Sequence, residues 1–241
     1  MKFSAIILAA GSGSRTGLDY NKIFHEINGK KVLKYSIDFF RNYSKSCEII
    51  LVCSNSDFNY VYDLYHKDVD HIVIGGITRQ ESVFKGLNKA TENYVLVHDS
   101  ARPYINRDAI DRLIFEVHTS GASTLAIPVS DTIVKISGNR LIKTLDRNQL
   151  VAIQTPQAFL RELLLDAHKK ALKAEYIATD DTDIVRRFTD VMPSYVLGDY
   201  RSVKLTTKDD LLLLDFSYDI KKGELKNQLD FDVIKIHQRQ K

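Results

Sequence analysis

The chain has 241 residues and a mass of 27.5 kDa, with 44% hydrophobic and 27% charged residues; this is the ordinary globular range and excludes disordered, collagen-like and coiled-coil classes. Lys and Arg number 34 against 31 Asp and Glu, a formal charge of +3, which points to no nucleic-acid partner and leaves open whether the excess is spread over the surface or gathered around an anionic ligand. Apolar runs such as residues 5–10 stop at about eight residues where a bilayer-crossing helix needs roughly 20, so no membrane span is expected. No hydrophobic leader precedes the first run, and the expected compartment is the cytoplasm.

In chain order, residues 3–8, 48–53, 71–74 and 94–98 are rich in Ile and Val, and each run predicts a strand buried on both faces. Cys47 and Cys53 lie six apart beside one of these strands with no His cluster near them. They predict neither a zinc site nor a disulfide framework. Between the strands, Val32, Tyr35, Ser36, Phe39 and Phe40 share one helical stripe, and Val83, Leu87 and Ala90 another. Strand and helix thus alternate through the first hundred residues, the order of a parallel sheet with helices on both sides. A helix over 108–119 and a strand over 123–128 follow. Residues 132–136 and 141–145 then alternate around a Ser137, Gly138, Asn139 turn and predict a β-hairpin within 131–153. A two-stranded ribbon is marginal alone in water, so this arm is expected to lie on the body of the fold or on a second subunit. Helical patterns resume at 160–172 and 182–188, with a strand at 194–198 and a last helix at 207–216. One domain is expected over residues 1–218, with a tail over 219–241 of low order or surface helix. The fold class is α/β: a doubly wound, mostly parallel sheet with a protruding β-hairpin arm.

The first strand runs into Ala9, Ala10, Gly11, Ser12, Gly13, Ser14, Arg15, Thr16 and Gly17. Small residues let the backbone approach a ligand closely and aim its amides at an anion. A P-loop would close on Gly, Lys and then Ser or Thr, but Leu18 and Asp19 follow Gly17. The dinucleotide fingerprint fails by one residue, because three residues separate Gly13 from Gly17. What remains is a loop with two cations, Arg15 and Lys22, beside the amides, and a triphosphate is its natural guest. A tight turn carrying surface cations is the plainer alternative.

Further along stand GGITRQESVFKGL at 75–87, VHDSARP at 97–103, DT at 131–132, LDRN at 145–148, QTPQAF at 154–159 and VKLT at 203–206. With LAAGSGSRTG and Lys22 ahead of them, these motifs closely resemble the 2-C-methyl-D-erythritol 4-phosphate cytidylyltransferase family, over all of the chain but its C-terminal tail. The resemblance implies a domain of nucleotide-diphospho-sugar transferase type and a homodimer whose subunits exchange hairpin arms. It also implies CTP and a polyol phosphate as substrates, with magnesium as the divalent cation.

Residue by residue, the resemblance implies catalytic roles for Arg15 and Lys22 on the triphosphate and for Lys204 near the α-phosphate. On its own, Lys204 reads as a solvated lysine at a strand end. Ala9, Ala10, Gly11 and Gly13 are implied in nucleotide binding, and Gly75, Gly76, Arg79 and Ser82 in bracketing cytosine and supporting the ribose. The latter segment also reads as a capped helix start with Arg79 exposed. Asp99 ends a strongly apolar strand, where open α/β sheets place ligands, so it is the expected ribose or magnesium partner. Arg102 offers a fork of donors to the acceptor, unless it forms an internal pair with Asp99 that shapes the loop. His98 is expected to bond to backbone and not to transfer protons. Thr132, Arg147, Thr155 and Thr179 are implied on the acceptor side, with the arm coming from the neighbouring subunit. A packed arm with Arg147 in a surface salt bridge is the alternative. Asp180, Asp181 and Asp183 suit N-terminal capping of a helix better than a metal cluster.

The sequence departs from the family at some of these positions. Asn21 and Ile23 flank Lys22 where the family commonly has Pro and Gln, Thr16 stands for Met, and Ile77 and Thr78 follow the paired glycines where an acidic residue is common. The nearest alternative is ribitol-5-phosphate cytidylyltransferase, which shares the chemistry. Ala9, Ala10, Ala101 and LDRN favour the methylerythritol enzyme, whereas Ser100 is common to both. A dinucleotide-dependent oxidoreductase is opposed by the extra loop residue and the loop cations. A regulatory nucleotide-binding module is opposed by the joint presence of Arg15, Lys22, Asp99, Arg102 and Lys204.

Overall fold

The structure, a computed structural model, describes residues 2–11, 20–43, 47–207 and 209–211. Gly13 and Arg15 of the glycine loop lie outside the described residues, as do most of the predicted last helix and the whole of the predicted tail over 219–241. Strand β1 (Phe3–Ala9) leads through a 3₁₀ turn at Lys22–Phe24 to short strands β2 (Glu26–Ile27) and β3 (Lys30–Lys31). Helix α1 (Val32–Tyr43), β4 (Cys47–Cys53), α2 (Phe58–Tyr65), β5 (His71–Ile74), α3 (Arg79–Lys89) and β6 (Tyr94–Asp99) follow. Next come α4 (Arg107–Ser120), β7 (Ala122–Pro128), β8 (Val134–Ser137), β9 (Arg140–Thr144), β10 (Val151–Leu160), α5 (Arg161–Lys173), α6 (Asp181–Phe188) and β11 (Ser194–Leu197).

Seven strands make one sheet in the order β11-β7-β10-β6-β1-β4-β5. It is parallel except for β10, which runs antiparallel to both β6 and β7. Side chains alternate across the sheet. From β1 and β4, Phe3, Ala5, Ile7, Ile49 and Leu51 face a core shared with α1, α2 and α4, while Ile6, Ile50 and Val52 face a second core shared with α3, α5 and α6. Both faces are covered by helices, so these strands are apolar throughout and show no alternation in sequence. The edge strand β5 corrects the expectation of two-sided burial: its residues are half-buried and Ile74 is exposed, since only one neighbour covers it. In α1 the buried face is Val32, Leu33, Ser36, Ile37 and Phe40, turned by one residue from the predicted stripe, with Tyr35 and Phe39 at its margin. Cys47 and Cys53 close the two ends of β4 as buried free thiols, pushed up to about 12 and about 11 by burial.

Two elements were not visible in the sequence pattern. Helix α2 buries only Val61 and Tyr65, too sparse a stripe among tyrosines. Strand β10 carries Pro156 and polar interior residues, and its ladder with β7 shifts register between Ile153 and Gln157, features that read as loop. The predicted arm is present as β8 and β9, which among the described residues pair only with each other. Its apolar side chains Ile136, Leu141 and Ile142 are exposed in the single chain.

Candidate active site

From β1 the chain winds outward to β4 and β5, then returns to β6 on the other side of β1. At such a reversal the segments leaving the two strands diverge and leave a crevice outside their carboxyl ends. Here the crevice is a cleft of about 500 Å³, walled by Ala9, Ala10 and Gly11 after β1, by Gly76 to Ser82 at the start of α3, by Asp99 to Ala101 after β6, and by Lys22 and Lys204.

Local bonds set each wall. The carbonyl of Leu8 accepts from both the amide (3.0 Å) and the hydroxyl (2.6 Å) of Ser100, tying the ends of β1 and β6 together. The amide of Gly75 donates to Cys53 at 2.8 Å, and a Cβ on Gly75 would lie 2.8 Å from both the Ala10 Cβ and the Ser82 Oγ, so only glycine allows this approach. Helix α3 opens with a capping box: the Thr78 hydroxyl accepts from the Glu81 amide at 3.1 Å, and Glu81 reaches back to the Ile77 amide at 2.9 Å. Farther along α3, Gly86 lets the helix lie close on the sheet, since a Cβ there would meet Ile6 Cγ2 at 2.6 Å. The two lysines come from separate segments. Lys22 is buried in its 3₁₀ turn, which Asn21 caps by accepting from Ile23 and fixes to the body by donating to Asp57 at 3.0 Å. Lys204 is placed by its neighbour Leu205, whose side chain is buried beside Ala101 and whose amide donates to the Ala101 carbonyl at 2.8 Å.

Asp99 is the carboxylate lining the described part of the cleft. Its Oδ1 accepts from Arg79 Nε at 3.2 Å and its Oδ2 from Lys204 Nζ at 2.7 Å. Burial works to raise its pKa, but Arg79 and then Lys204 outweigh it and hold the carboxyl far below the usual range. Arg79 also donates from its second nitrogen to Asp181 Oδ2 at 2.8 Å. Burial opposes the charge on Arg79, yet Asp181 and Asp99 together raise its pKa. The exposed-arginine alternative is thereby corrected: Thr78 caps α3 as that alternative supposes, but Arg79 turns inward between two carboxylates. The internal pair of Asp99 with Arg102 is corrected too. Arg102 sends its guanidinium to the Ser202 carbonyl at 2.5 Å, and only its backbone amide meets Asp99, at the carbonyl, 3.0 Å away. Burial lowers the Arg102 pKa, with Asp99 offsetting part of that, and among the described residues its buried Nε has no hydrogen-bond partner.

Behind Asp99, the Thr155 hydroxyl accepts from the Asp99 amide at 3.1 Å and lies 3.2 Å from His98 Nδ1. The other ring nitrogen of His98 is 3.1 Å from the Arg102 carbonyl. Burial brings the His98 pKa down to about 4, so the neutral ring is a structural link, as the sequence suggests.

The cleft therefore brings together Ala9, Ala10, Gly11, Lys22, Gly76, Arg79, Ser82, Asp99 and Lys204, with Gly75 immediately behind Ala10. Thr155 is buried beneath it, and Arg102 stands beside it. Thr132 and Arg147 are exposed at the base of the arm, where Arg147 donates to the Ser130 carbonyl at 3.0 Å and not to a carboxylate. Thr179 is exposed just ahead of α6. The aspartates of that helix divide their roles: Asp180 caps it, accepting from the Asp183 amide at 2.8 Å, whereas Asp181 is fully buried against Arg79 and His168. No residue-level signal in the sequence separates Asp181 from its capping neighbours.

Among the described residues no three His, Cys, Asp or Glu side chains gather into a metal cage. A single cleft carboxylate does fit magnesium, which is commonly held by one or two carboxylates together with substrate phosphates.

A crevice at the reversal of a doubly wound sheet, lined by a small-residue wall, two lysines and one carboxylate, is the arrangement of a nucleotidyltransferase. Residues 3–219 match the family model for 2-C-methyl-D-erythritol 4-phosphate cytidylyltransferase, and the chain belongs to that family. It is 38% identical over 232 residues to the enzyme of that name from Bacillus velezensis, covering 94% of this chain and 99% of the relative. It is 41% identical over 217 residues to the one from Clostridium novyi, covering 87% and 94%. Its fold matches the crystal structure of 4-diphosphocytidyl-2C-methyl-D-erythritol synthase from Anaerococcus prevotii with a TM-score of 0.79 at 31% identity, over 90% of this chain and 98% of that one. These relatives favour the methylerythritol enzyme over the ribitol-5-phosphate alternative.

Proposed function

We propose that the cleft joins CTP to 2-C-methyl-D-erythritol 4-phosphate, giving 4-CDP-2-C-methyl-D-erythritol and pyrophosphate, a step of non-mevalonate isoprenoid biosynthesis. An oxygen of the acceptor phosphate forms a bond to the α-phosphorus as the bond from that phosphorus to the bridging oxygen breaks. The electron pair leaves with pyrophosphate. The attacking phosphate is already an anion, so no general base is needed, and the work is positioning and charge neutralisation. The observation that carries this reading is the placement of Lys22 and Lys204 around the small-residue wall formed by Ala10, Gly75 and Ser82.

On this reading Arg15 and Lys22 hold the triphosphate. Lys204 offers the α-phosphate the ammonium hydrogens not directed at Asp99, since an ammonium has three donors. Gly75, Gly76 and Ser82 bracket the base. Arg102, Thr132, Arg147 and Thr179 serve the acceptor side, and Thr155, implied there by the resemblance, instead supports Asp99 from beneath the cleft. Asp99 would hold magnesium, which when bound supplies further neutralisation of the phosphate charge. The exposed apolar face of the arm supports a homodimer with exchanged arms, because Ile136, Leu141 and Ile142 are exposed and find no cover among the described residues. Two buried free thiols suit a reducing cytoplasm.

The test is pyrophosphate release from CTP and magnesium with each acceptor in turn. The methylerythritol phosphate is expected to react fast and ribitol 5-phosphate much more slowly. A reversed preference overturns the substrate, and absence of pyrophosphate overturns the reaction.

A further inference from the structure

The charged groups behind the cleft form a chain of which the reaction scheme uses only the last member, Asp99. His168, at 2% exposure, meets Asp181 Oδ1 through Nε2 at 3.1 Å, and Asp181, at 0%, takes Arg79 on its other oxygen at 2.8 Å. Asp181 is held at its backbone as well, its amide donating to the Gln157 side chain at 3.2 Å. Arg79 then reaches Asp99 with Nε at 3.2 Å. The chain thus runs from a buried imidazole between α5 and α3 to the carboxylate in the cleft.

An arginine fork facing a single carboxylate closes on it with two parallel hydrogen bonds. Here the fork is divided, because a second carboxylate, fixed by His168 and Gln157, draws one of its nitrogens away from the cleft. Arg79 therefore meets Asp99 through one nitrogen only, and its other nitrogen is held by a carboxylate that is fully buried. A buried carboxylate is costly unless paired, so this arrangement is held by partners on both sides.

We propose that Asp181, braced by His168, is a positioning residue for nucleotide binding that acts through Arg79; the proposal rests on the cytidylyltransferase reading above. Without Asp181, the fork swings fully onto Asp99 and the first turn of α3 loses the orientation of Arg79 toward the nucleotide.

The experiment compares wild type, Asp181→Asn, Arg79→Ala and the double variant by steady-state pyrophosphate release, together with calorimetric titration of each with CTP alone. For Asp181→Asn the KM and Kd for CTP are expected to rise roughly 10- to 100-fold, the range of a lost hydrogen bond to a charged group, while the KM for the polyol phosphate stays put. In the Arg79→Ala background the same substitution should add no further loss, because the two act as one unit. A purely structural role would lower kcat in proportion to the folded fraction and leave both KM values unmoved, or multiply with Arg79→Ala; either result overturns the proposal. If Asp181→Asn does not fold, His168→Leu takes its place. It should weaken CTP binding several-fold while His168→Gln, which keeps a donor, restores it, and equal behaviour of the two overturns the proposal. Wild type that binds CTP without releasing pyrophosphate refutes the proposed reaction and leaves this inference to the titration; wild type that binds no CTP refutes both.

Discussion

Thr155→Val separates two roles for one hydroxyl. In the structure that hydroxyl accepts from the Asp99 amide at 3.1 Å and contacts His98 Nδ1 at 3.2 Å. The Arg102 carbonyl near the other ring nitrogen can only accept, so the neutral imidazole carries its proton on Nε2. Nδ1 must then accept, and Thr155 supplies the hydrogen. One side-chain oxygen thus satisfies two buried groups. Valine keeps the shape and loses the oxygen, leaving the Asp99 amide and His98 Nδ1 without partners at roughly 1–3 kcal/mol each. The expected loss is roughly 2–6 kcal/mol, a large part of the typical total of about 5–15 kcal/mol. Denaturant unfolding at pH 7 measures it as a lower midpoint at unchanged m. Thr155→Ser keeps the oxygen and should cost only about 1 kcal/mol for the methyl. Because Asp99 hangs from this bond, kcat should fall with stability in the valine variant. If Thr155→Val were as stable as wild type within about 0.5 kcal/mol and raised only the KM for the polyol phosphate, the hydroxyl would be serving the acceptor directly and the internal link would be refuted.

Mixing inactive Lys22→Ala and Arg147→Ala subunits should restore part of the pyrophosphate-release rate if arms are exchanged, since one site in each mixed dimer is then intact; no recovery would place each site within one chain. Gly86→Ala should destabilise the protein by up to about 2 kcal/mol in calorimetry, because overpacking of roughly 1–3 kcal/mol against the buried Ile6 offsets the helix-propensity gain of about 1 kcal/mol; a stabilised variant would mean that α3 can lift off the sheet freely. Asp199 is lowered from 3.8 to about 2, chiefly by its hydrogen bond from Arg201 with Asn106 adding to it against partial burial. Its contribution is therefore fully present above the ordinary value and lost as pH falls through about 2, and integrates to roughly 2 kcal/mol. Asp199→Asn should be less stable than wild type by that amount at neutral pH, with the gap closing below pH 4; a gap independent of pH would assign the loss to packing.

Much of the fold was legible because the physics that buries β1, β4 and β6 acts on contiguous residues. A strand covered on both faces must be apolar at every position, and Phe3 to Ala9 and Cys47 to Cys53 are nearly so. Strand β10 escaped for the opposite reason. Gln154, Thr155 and Gln157 are buried although polar, and their partners lie far away in sequence: Asp199 for Gln154, Asp99 for Thr155, Asp181 for Gln157. A residue that is interior only because a distant segment satisfies it carries no local mark of burial. The cleft divides in the same way. Ala10, Gly75 and Ser82 announce themselves as small residues near strand and helix ends, whereas the inward turn of Arg79 depends on Asp181, 102 positions later. Arg102 was legible as a fork of donors in the loop after β6 but not as a partner of the Ser202 carbonyl, since only the return of the chain along Ala101 puts residues 202–205 there.

The same long-range pairings decide which charges stay fixed and which can move. Along the chain from Asp181 through Arg79 and Asp99 to Lys204, side-chain exposure changes from 0% at Asp181 to 29% at Arg79, 12% at Asp99 and 38% at Lys204. A buried ion loses its hydration and must be matched by fixed partners, so Asp181 carries two and cannot release either cheaply. Lys204 keeps part of its hydration and makes one side-chain ion pair, worth far less to break at a wet surface than in the interior. A phosphate entering the cleft therefore competes with water and with one carboxylate for Lys204, but with a braced carboxylate for Arg79. On the proposed reading, Arg79 is therefore set before a nucleotide arrives and Lys204 is the cation more readily given to a phosphate, so that both stand as positive charge placed in advance for a displacement at phosphorus.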